Sequence, residues 1–131
     1  MGGCLFSNPL CIYMKTHKDL DIWKDGIELT KKVYKLTKQF PAEELYGLVS
    51  QMRRAAVSYP SNIAEGAARS SKSEYLRFIY ISLGSLSELE TQILLSKELG
   101  FVQNTDNLLS DLEKIRKMTL NFIKYLKASK L

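Results

Sequence analysis

Hydrophobic residues recur at helical spacing from residue 20 onward. In the first segment, the apolar positions that step by four and three residues are Ile22, Gly26, Leu29, Val33, Leu36 and Phe40. Such spacing places apolar side chains on one face of an α-helix, and a proline disfavours helical geometry in the residue before it. The pattern therefore predicts a first helix that begins near Asp19 or Asp21 and ends at Phe40, before Pro41.

A second apolar stripe follows Pro41 and contains Pro60. Its members are Leu45, Leu48, Val49, Met52, Ala55, Ala56, Tyr59 and Ile63. Proline removes one backbone donor from a helix, but the phase of the stripe continues beyond Pro60. We therefore expect one helix that opens near Pro41, is kinked near Pro60 and ends at Gly66.

Two more helices are predicted in the second half of the chain. Ser71 and Glu74 match a capping box, and Leu99-Gly100 matches a glycine stop, so these positions delimit helix 3. Helix 4 is expected to start near Thr105 or Asp106. Short connections place sequential helices antiparallel. The predicted fold class is all-α, an antiparallel up-down-up-down four-helix bundle.

The length of 131 residues allows one domain. We expect residues 1–18 to form an irregular extension and residues 19–131 to form the bundle. Cys4 and Cys11 both lie in the extension, which argues against a disulfide framework or a cysteine zinc site in the bundle. The extension matches neither a secretory nor a myristoylation signal. A cytoplasmic protein without a membrane partner is expected.

The motifs of common enzymes are missing from the sequence. The single histidine, His17, lies in the extension, so a Ser-His-Asp or Cys-His arrangement is not available. Neither Glu-x-x-His pairs nor a phosphate-binding glycine loop occurs. We predict a non-enzymatic protein with no catalytic residue, no metal site and no cofactor.

Glu90 breaks the apolar pattern of helix 3, because it falls in phase with Leu86 and Ile93. A buried carboxylate requires a partner, and Arg53 and Arg54 on helix 2 are the candidates. The favoured interpretation is a structural ion pair within one subunit or between subunits, and an acid–base role is the alternative.

Lysines follow the outward faces of the first and last helices. The chain has 19 Lys and Arg against 14 Asp and Glu. The outward lysines are Lys24, Lys31, Lys35 and Lys38 on helix 1, and Lys114, Lys117, Lys124 and Lys127 on helix 4. They are either solvated surface or a surface that binds the phosphates of RNA or DNA, with the two rows merging into one basic wall. No aromatic stacking platform accompanies them, so base reading is not predicted.

Aromatic and large aliphatic residues occupy the edges of the apolar stripes. They are Tyr34, Tyr46, Tyr75, Phe78, Tyr80 and Leu94. Residues at such positions belong either to the periphery of a core or to a subunit interface, where tyrosine and phenylalanine are favoured. The interface is the favoured interpretation.

Residues 51–66, QMRRAAVSYPSNIAEG, resemble the hallmark of the bacterial four-helix bundle family of 23S rRNA intervening-sequence proteins. Residues 21–24, DIWK, and residues 84–90, GSLSELE, match the same pattern. The resemblance covers about residues 19–125, and Tyr59 replaces a more usual aliphatic residue.

The resemblance implies a homo-oligomer, expected to be a pentamer like the related accessory variability determinant of diversity-generating retroelements. It also suggests RNA or DNA binding and implies no known catalysis. The alternative function is a protein-binding scaffold or accessory subunit that recognises a partner protein.

Overall fold

The computed structural model describes residues 16–130, and this part of the chain contains four α-helices and no strand. The helices are α1, Asp21–Thr37; α2, Ser50–Ala67; α3, Lys72–Glu98; and α4, Asp106–Ala128. The all-α prediction is confirmed. None of the described helices is long and apolar enough to cross a membrane.

The predicted extension falls largely outside the described residues, and so do Cys4 and Cys11. Its described end, His17–Asp19, forms a 3₁₀ turn before α1. The His17 ring packs edge-on against Trp23, with their centroids 5.2 Å apart. The turn is therefore attached to the first helix.

The core is built from all four helices. Helix α1 contacts α2 and α4, and α3 contacts the same two helices. Fully buried side chains come from each helix, for example Leu29, Met52, Leu86 and Leu112. Each contributes about 1.5–3 kcal/mol relative to an exposed position.

Helix α2 begins later than predicted. A 3₁₀ turn, Ala42–Glu44, and a π-helical turn, Leu45–Val49, precede it. The backbone leaves helical conformation at Gly47 (φ −109°, ψ −114°), and Glu44 Oε1 accepts a hydrogen bond from the Leu48 N–H. Leu45 is therefore 47% exposed rather than part of the core. The apolar period runs unbroken across this turn, which is why it did not reveal the break.

Gly66 does not end α2, because the helix runs to Ala67. The glycine is buried, and a Cβ atom added to it would lie 2.9 Å from Phe78 Cβ and 3.1 Å from Tyr75 Cδ1. Its missing side chain therefore permits the close approach of α3. Gly100, by contrast, follows α3 with φ +80°, the left-handed conformation expected of a glycine stop.

A side chain of α1 compensates for the backbone donor that Pro60 lacks. Proline has no N–H, so the Ala56 carbonyl one turn earlier loses its usual helical donor. The Thr30 hydroxyl lies 3.1 Å from that oxygen and 2.8 Å from the Gly26 oxygen, so its single proton is shared between the two carbonyls. This contact partly replaces the lost donor and joins α2 to α1.

Tyr59 joins α2 to the other three helices. Its ring lies so close to Gly26 that an added Cβ would be 2.7 Å from Tyr59 Cδ2. Its hydroxyl lies 2.7 Å from Thr119 Oγ1 on α4, and its carbonyl accepts a 2.8 Å hydrogen bond from Ser82 on α3. Burial raises the pKa of the Tyr59 hydroxyl, so the phenol stays neutral.

Replacing Thr30 by Val removes the external donor and leaves the Ala56 carbonyl unpaired. We expect a loss of about 1–2 kcal/mol in the free energy of unfolding. Because Pro60→Ala restores a backbone N–H, the same Thr30→Val change should cost less in that background. Urea unfolding of the four chains in this double-mutant cycle measures the difference.

The matched control is Thr91→Val. Thr91 also bonds a carbonyl one turn earlier, that of Ser87, but it is exposed and no proline lies nearby. An equal cost of Thr30→Val with and without Pro60 would contradict the compensation.

Tyr59 also makes the stability of the folded protein depend on pH. The pKa of Tyr59 is raised in the folded state, so folding favours the neutral phenol. Its contribution to the free energy of unfolding is therefore complete below the unfolded-state pKa of about 10 and is lost as the pH rises further. Tyr59→Phe should cost about 1 kcal/mol at neutral pH, through the lost Thr119 hydrogen bond, and should reduce the alkaline loss of stability. Urea unfolding at neutral and alkaline pH measures both effects.

Tyr125→Phe, at an exposed ring, serves as the control. If both variants lose stability equally as the pH rises, burial of Tyr59 is not the cause.

Candidate nucleic-acid interface

All eight predicted lysines are exposed. We call Lys24, Lys31, Lys35 and Lys38 the α1 row, and Lys114, Lys117, Lys124 and Lys127 the α4 row. The α1 row steps along the helix face opposite the buried Ile22, Leu29 and Val33. Because α1 and α4 are in contact, both rows lie on neighbouring helices.

The two rows do not merge into one basic wall. The groove between them has a volume of about 220 Å³, and its walls include Asp25, Glu28 and Asp111. Lys32 Nζ lies 2.5 Å from Asp111 Oδ2, and this hydrogen bond raises the pKa of Lys32. Lys31 Nζ lies 3.3 Å from Glu28 Oε2. A seam of mixed charge therefore separates the rows.

The α4 row crosses the surface of its helix. Lys114 lines the groove toward α1, whereas Lys127 Nζ lies 5.6 Å from the Tyr80 ring centroid on α3. At the same end, Lys72 Nζ donates to the carbonyl oxygens of Lys127, at 3.3 Å, and Ser129, at 2.7 Å. This contact places another cation at the C-terminus of α4, where the helix dipole favours it.

Glu90 has a different partner from the one expected. Its side chain is 37% exposed, and its Oε2 atom lies 3.9 Å from Arg116 Nη2 on α4. Arg116 also pairs with Glu113. The predicted pairing with Arg53 or Arg54 is therefore wrong within the described chain, because Glu90 lies on the edge of α3 that faces α4.

Arg53 instead joins α2 to α1. Its Nε donates to Thr37 Oγ1 at 2.9 Å, and its Nη2 donates to the Tyr34 carbonyl at 3.4 Å. The guanidinium carbon lies 4.5 Å from the Tyr34 ring centroid. The arginine is thus held by two hydrogen bonds and a cation–π contact.

An open groove of about 640 Å³ lies beside this arginine, and we call it the Tyr46 groove. Its walls contain no carboxylate; they are formed by Tyr34, Leu45, Tyr46, Val49, Ser50, Arg53, Arg54, Val57 and Ser58. Tyr46 is 93% exposed, the most of any large hydrophobic side chain in residues 16–130.

Sequence reasoning missed the Tyr46 groove as a cationic feature. A signal was present, because Ser50, Arg53, Arg54 and Val57 share one face of a helix at spacings of three and four. The break at Gly47, which leaves Tyr46 in solvent, was not foreseen.

The six stripe-edge residues separate into two groups. Tyr75 and Phe78 are half-buried beside Gly66, and the Tyr75 ring lies 5.8 Å from that of Phe122. Burial raises the pKa of the Tyr75 hydroxyl to about 12. Tyr34, Tyr46, Tyr80 and Leu94 are exposed. The first group belongs to the periphery of the core.

Between Thr16 and Lys130, no group of three or more His, Cys, Asp or Glu side chains is arranged to hold a metal ion. The charged features of this part of the chain include the two lysine rows, the seam of mixed charge and the Tyr46 groove. The arrangement suits an anionic partner that contacts exposed cations.

Comparison with known proteins identifies a family for this chain. The model of the 23S rRNA-intervening sequence protein family matches residues 18–121. The matched region contains all four helices up to the last turns of α4. The search of curated proteins finds no match.

Proposed function

The chain belongs to the 23S rRNA-intervening sequence protein family, and from this premise we propose that it is a non-enzymatic, oligomeric four-helix bundle that binds RNA or DNA through the outer faces of α1 and α4. The observation that carries the proposal is the full set of eight exposed lysines on two neighbouring helices. Lysines of this kind bind phosphates with little sequence preference. The family is not a known enzyme family.

The proposed architecture is an antiparallel up-down-up-down bundle of residues 19–131, with α2 kinked near Pro60. Contacts of α1 with α2 and α4, and of α3 with the same helices, support it. The short connection over residues 68–71 favours antiparallel neighbours. The missing donor at Pro60 supports the kink. We place this bundle in the cytoplasm.

The free lysines define the strongest phosphate contacts. Lys35, Lys117 and Lys124 form no salt bridge within residues 16–130, whereas Lys31 is paired with Glu28. An unpaired lysine exchanges only counterions and water for a phosphate. Each such contact releases counterions, so binding weakens steeply as salt rises.

Lys35→Glu with Lys117→Glu should weaken binding to duplex DNA and RNA, because one contact is lost from each row. The slope of log affinity against log salt should fall by about 2, close to one unit for each lost phosphate contact. A fluorescence anisotropy titration at several salt concentrations measures it.

Lys18→Glu with Lys97→Glu changes the net charge equally but touches neither row, so it is the control. Equal losses in the two variants would indicate a response to net charge alone. Absence of binding by the unaltered protein at low salt would overturn the proposal.

A second candidate function is supported by the outer face of α3. This α3 outer face exposes Tyr80, Ile81, Leu94, Leu95 and Leu99. They form two groups, residues 80–81 and residues 94–99, which lie on one side of the helix about 20 Å apart. Exposed hydrophobic groups of this kind are typical of protein interfaces. We propose that this face joins copies into a ring of five subunits, with a partner protein as the alternative occupant.

Replacing Ile81 and Leu95 by Lys should dissociate the oligomer, because charges enter an apolar contact. Both residues are at least 40% exposed, so helicity should be retained. Light scattering and circular dichroism give the two readouts. Leu120→Lys, at a comparably exposed position on α4, is the control.

If the unaltered protein is monomeric over a wide range of concentration, self-association is contradicted. A partner protein is then the remaining occupant of the α3 outer face. An oligomer that survives the Ile81 and Leu95 changes would exclude the α3 outer face.

A further inference from the structure

We infer that the Tyr46 groove binds an unpaired nucleotide of single-stranded RNA or DNA, with its base stacked on Tyr46 and its phosphate bound by Arg54. The inference rests on the proposed nucleic-acid binding and deepens it. It adds a site that is specific for single strands to a proposed surface that otherwise contacts only phosphates.

The charge of the groove favours an anionic ligand. Two guanidinium groups line it, and none of its wall residues is a carboxylate. Arg53 is held by Thr37 and Tyr34, whereas Arg54 is exposed and forms no salt bridge within the described residues. Glu88 lines the neighbouring groove that Arg54 also borders, but it is not paired with the arginine. Arg54 is therefore available to a phosphate.

The exposed ring of Tyr46 offers a free flat face to a ligand. Tyr46 is 93% exposed, and its ring is in contact with no other described ring or cation. The Tyr34 ring, which also lines the groove, is 40% exposed and is covered on one side by Arg53. A nucleobase stacks on an exposed tyrosine regardless of sequence, since every base has a π-face.

The position of the groove connects it with the α1 row. Lys31 and Lys38 lie three residues before and four residues after Tyr34, so they are its neighbours on the helix surface. A strand whose base occupies the groove continues onto these lysines through its phosphates. A duplex cannot do this, because its bases are already stacked and paired.

An apolar segment of another protein fits this groove less well. Leu45, Val49 and Val57 supply apolar area, but the two arginines beside them would lose water without gaining a carboxylate from the groove itself. A phosphate supplies that counter-charge. The nucleotide satisfies both the apolar and the cationic walls.

The test uses the full chain and a fluorescent single strand of about 12 nucleotides, as RNA and as DNA, together with the same sequence as a duplex. Tyr46→Leu should weaken single-strand binding about tenfold and leave duplex binding unchanged. Tyr46→Phe, which keeps the ring, should retain the affinity. Because Tyr46 is outside the core, both variants should fold.

Arg54→Gln should weaken single-strand binding and lower its salt slope by about 0.7, the value for one phosphate contact. Tyr125→Leu, at another exposed tyrosine, is the control and should change neither measurement. Light scattering on each variant gives the oligomeric state.

If Tyr46→Leu binds the single strand as tightly as the unaltered protein does, the nucleotide site in the groove is overturned. Duplex binding by the unaltered protein would then still support the proposed function. An unaltered protein that binds neither form at low salt would overturn both. A change of oligomeric state in Tyr46→Leu, with nucleic-acid affinity unchanged, would make the groove a subunit contact and also overturn the inference.

Discussion

The missing backbone donor at Pro60 is the constraint on which the arrangement of the helices depends. A helix that continues through a proline leaves one carbonyl without its usual partner, here that of Ala56. The hydroxyl of Thr30 meets this oxygen from α1. Tyr59, one residue earlier, packs its ring against Gly26 and joins Thr119 and Ser82 by hydrogen bonds. One dipeptide therefore holds α2 against all three other helices, and buried hydrogen bonds tolerate little displacement.

The same contact between α1 and α2 builds the Tyr46 groove. Arg53 lies about one turn before Ala56, and Tyr34 lies one turn after Thr30, so the alignment that satisfies the Ala56 carbonyl also brings the guanidinium over the Tyr34 ring. Its hydrogen bond to Thr37 fixes that position further along α1. The structural role of Pro60 and the geometry of the proposed nucleotide site are thus consequences of one helix pairing.

The apolar periodicity correctly predicted those features that depend only on which side of a helix is apolar. It placed the starts of α3 and α4 close to the observed Lys72 and Asp106, and it put the lysine rows on outward faces. It missed the break at Gly47, because the flanking Leu45 and Leu48 stay in phase. It also misassigned the partner of Glu90, since that choice depends on how α3 is rotated against α4, and helical spacing within one segment contains no such information.

Lysines and arginines occupy different parts of the surface, and their chemistry explains the difference. Lysine is a flexible, strongly hydrated point charge, which suits the solvent-exposed rows on α1 and α4. Arginine is planar and weakly hydrated, so it can lie on the Tyr34 ring at the edge of the apolar groove. Because Asp25, Glu28 and Asp111 separate the lysine rows, positive charge is not continuous across α1 and α4. On the other side of the α1 row, Lys31 and Lys38 are neighbours of Tyr34 on the helix surface, and Arg53 covers the Tyr34 ring. The cations on that side therefore lie beside aromatic rings, whereas those at the seam lie beside carboxylates.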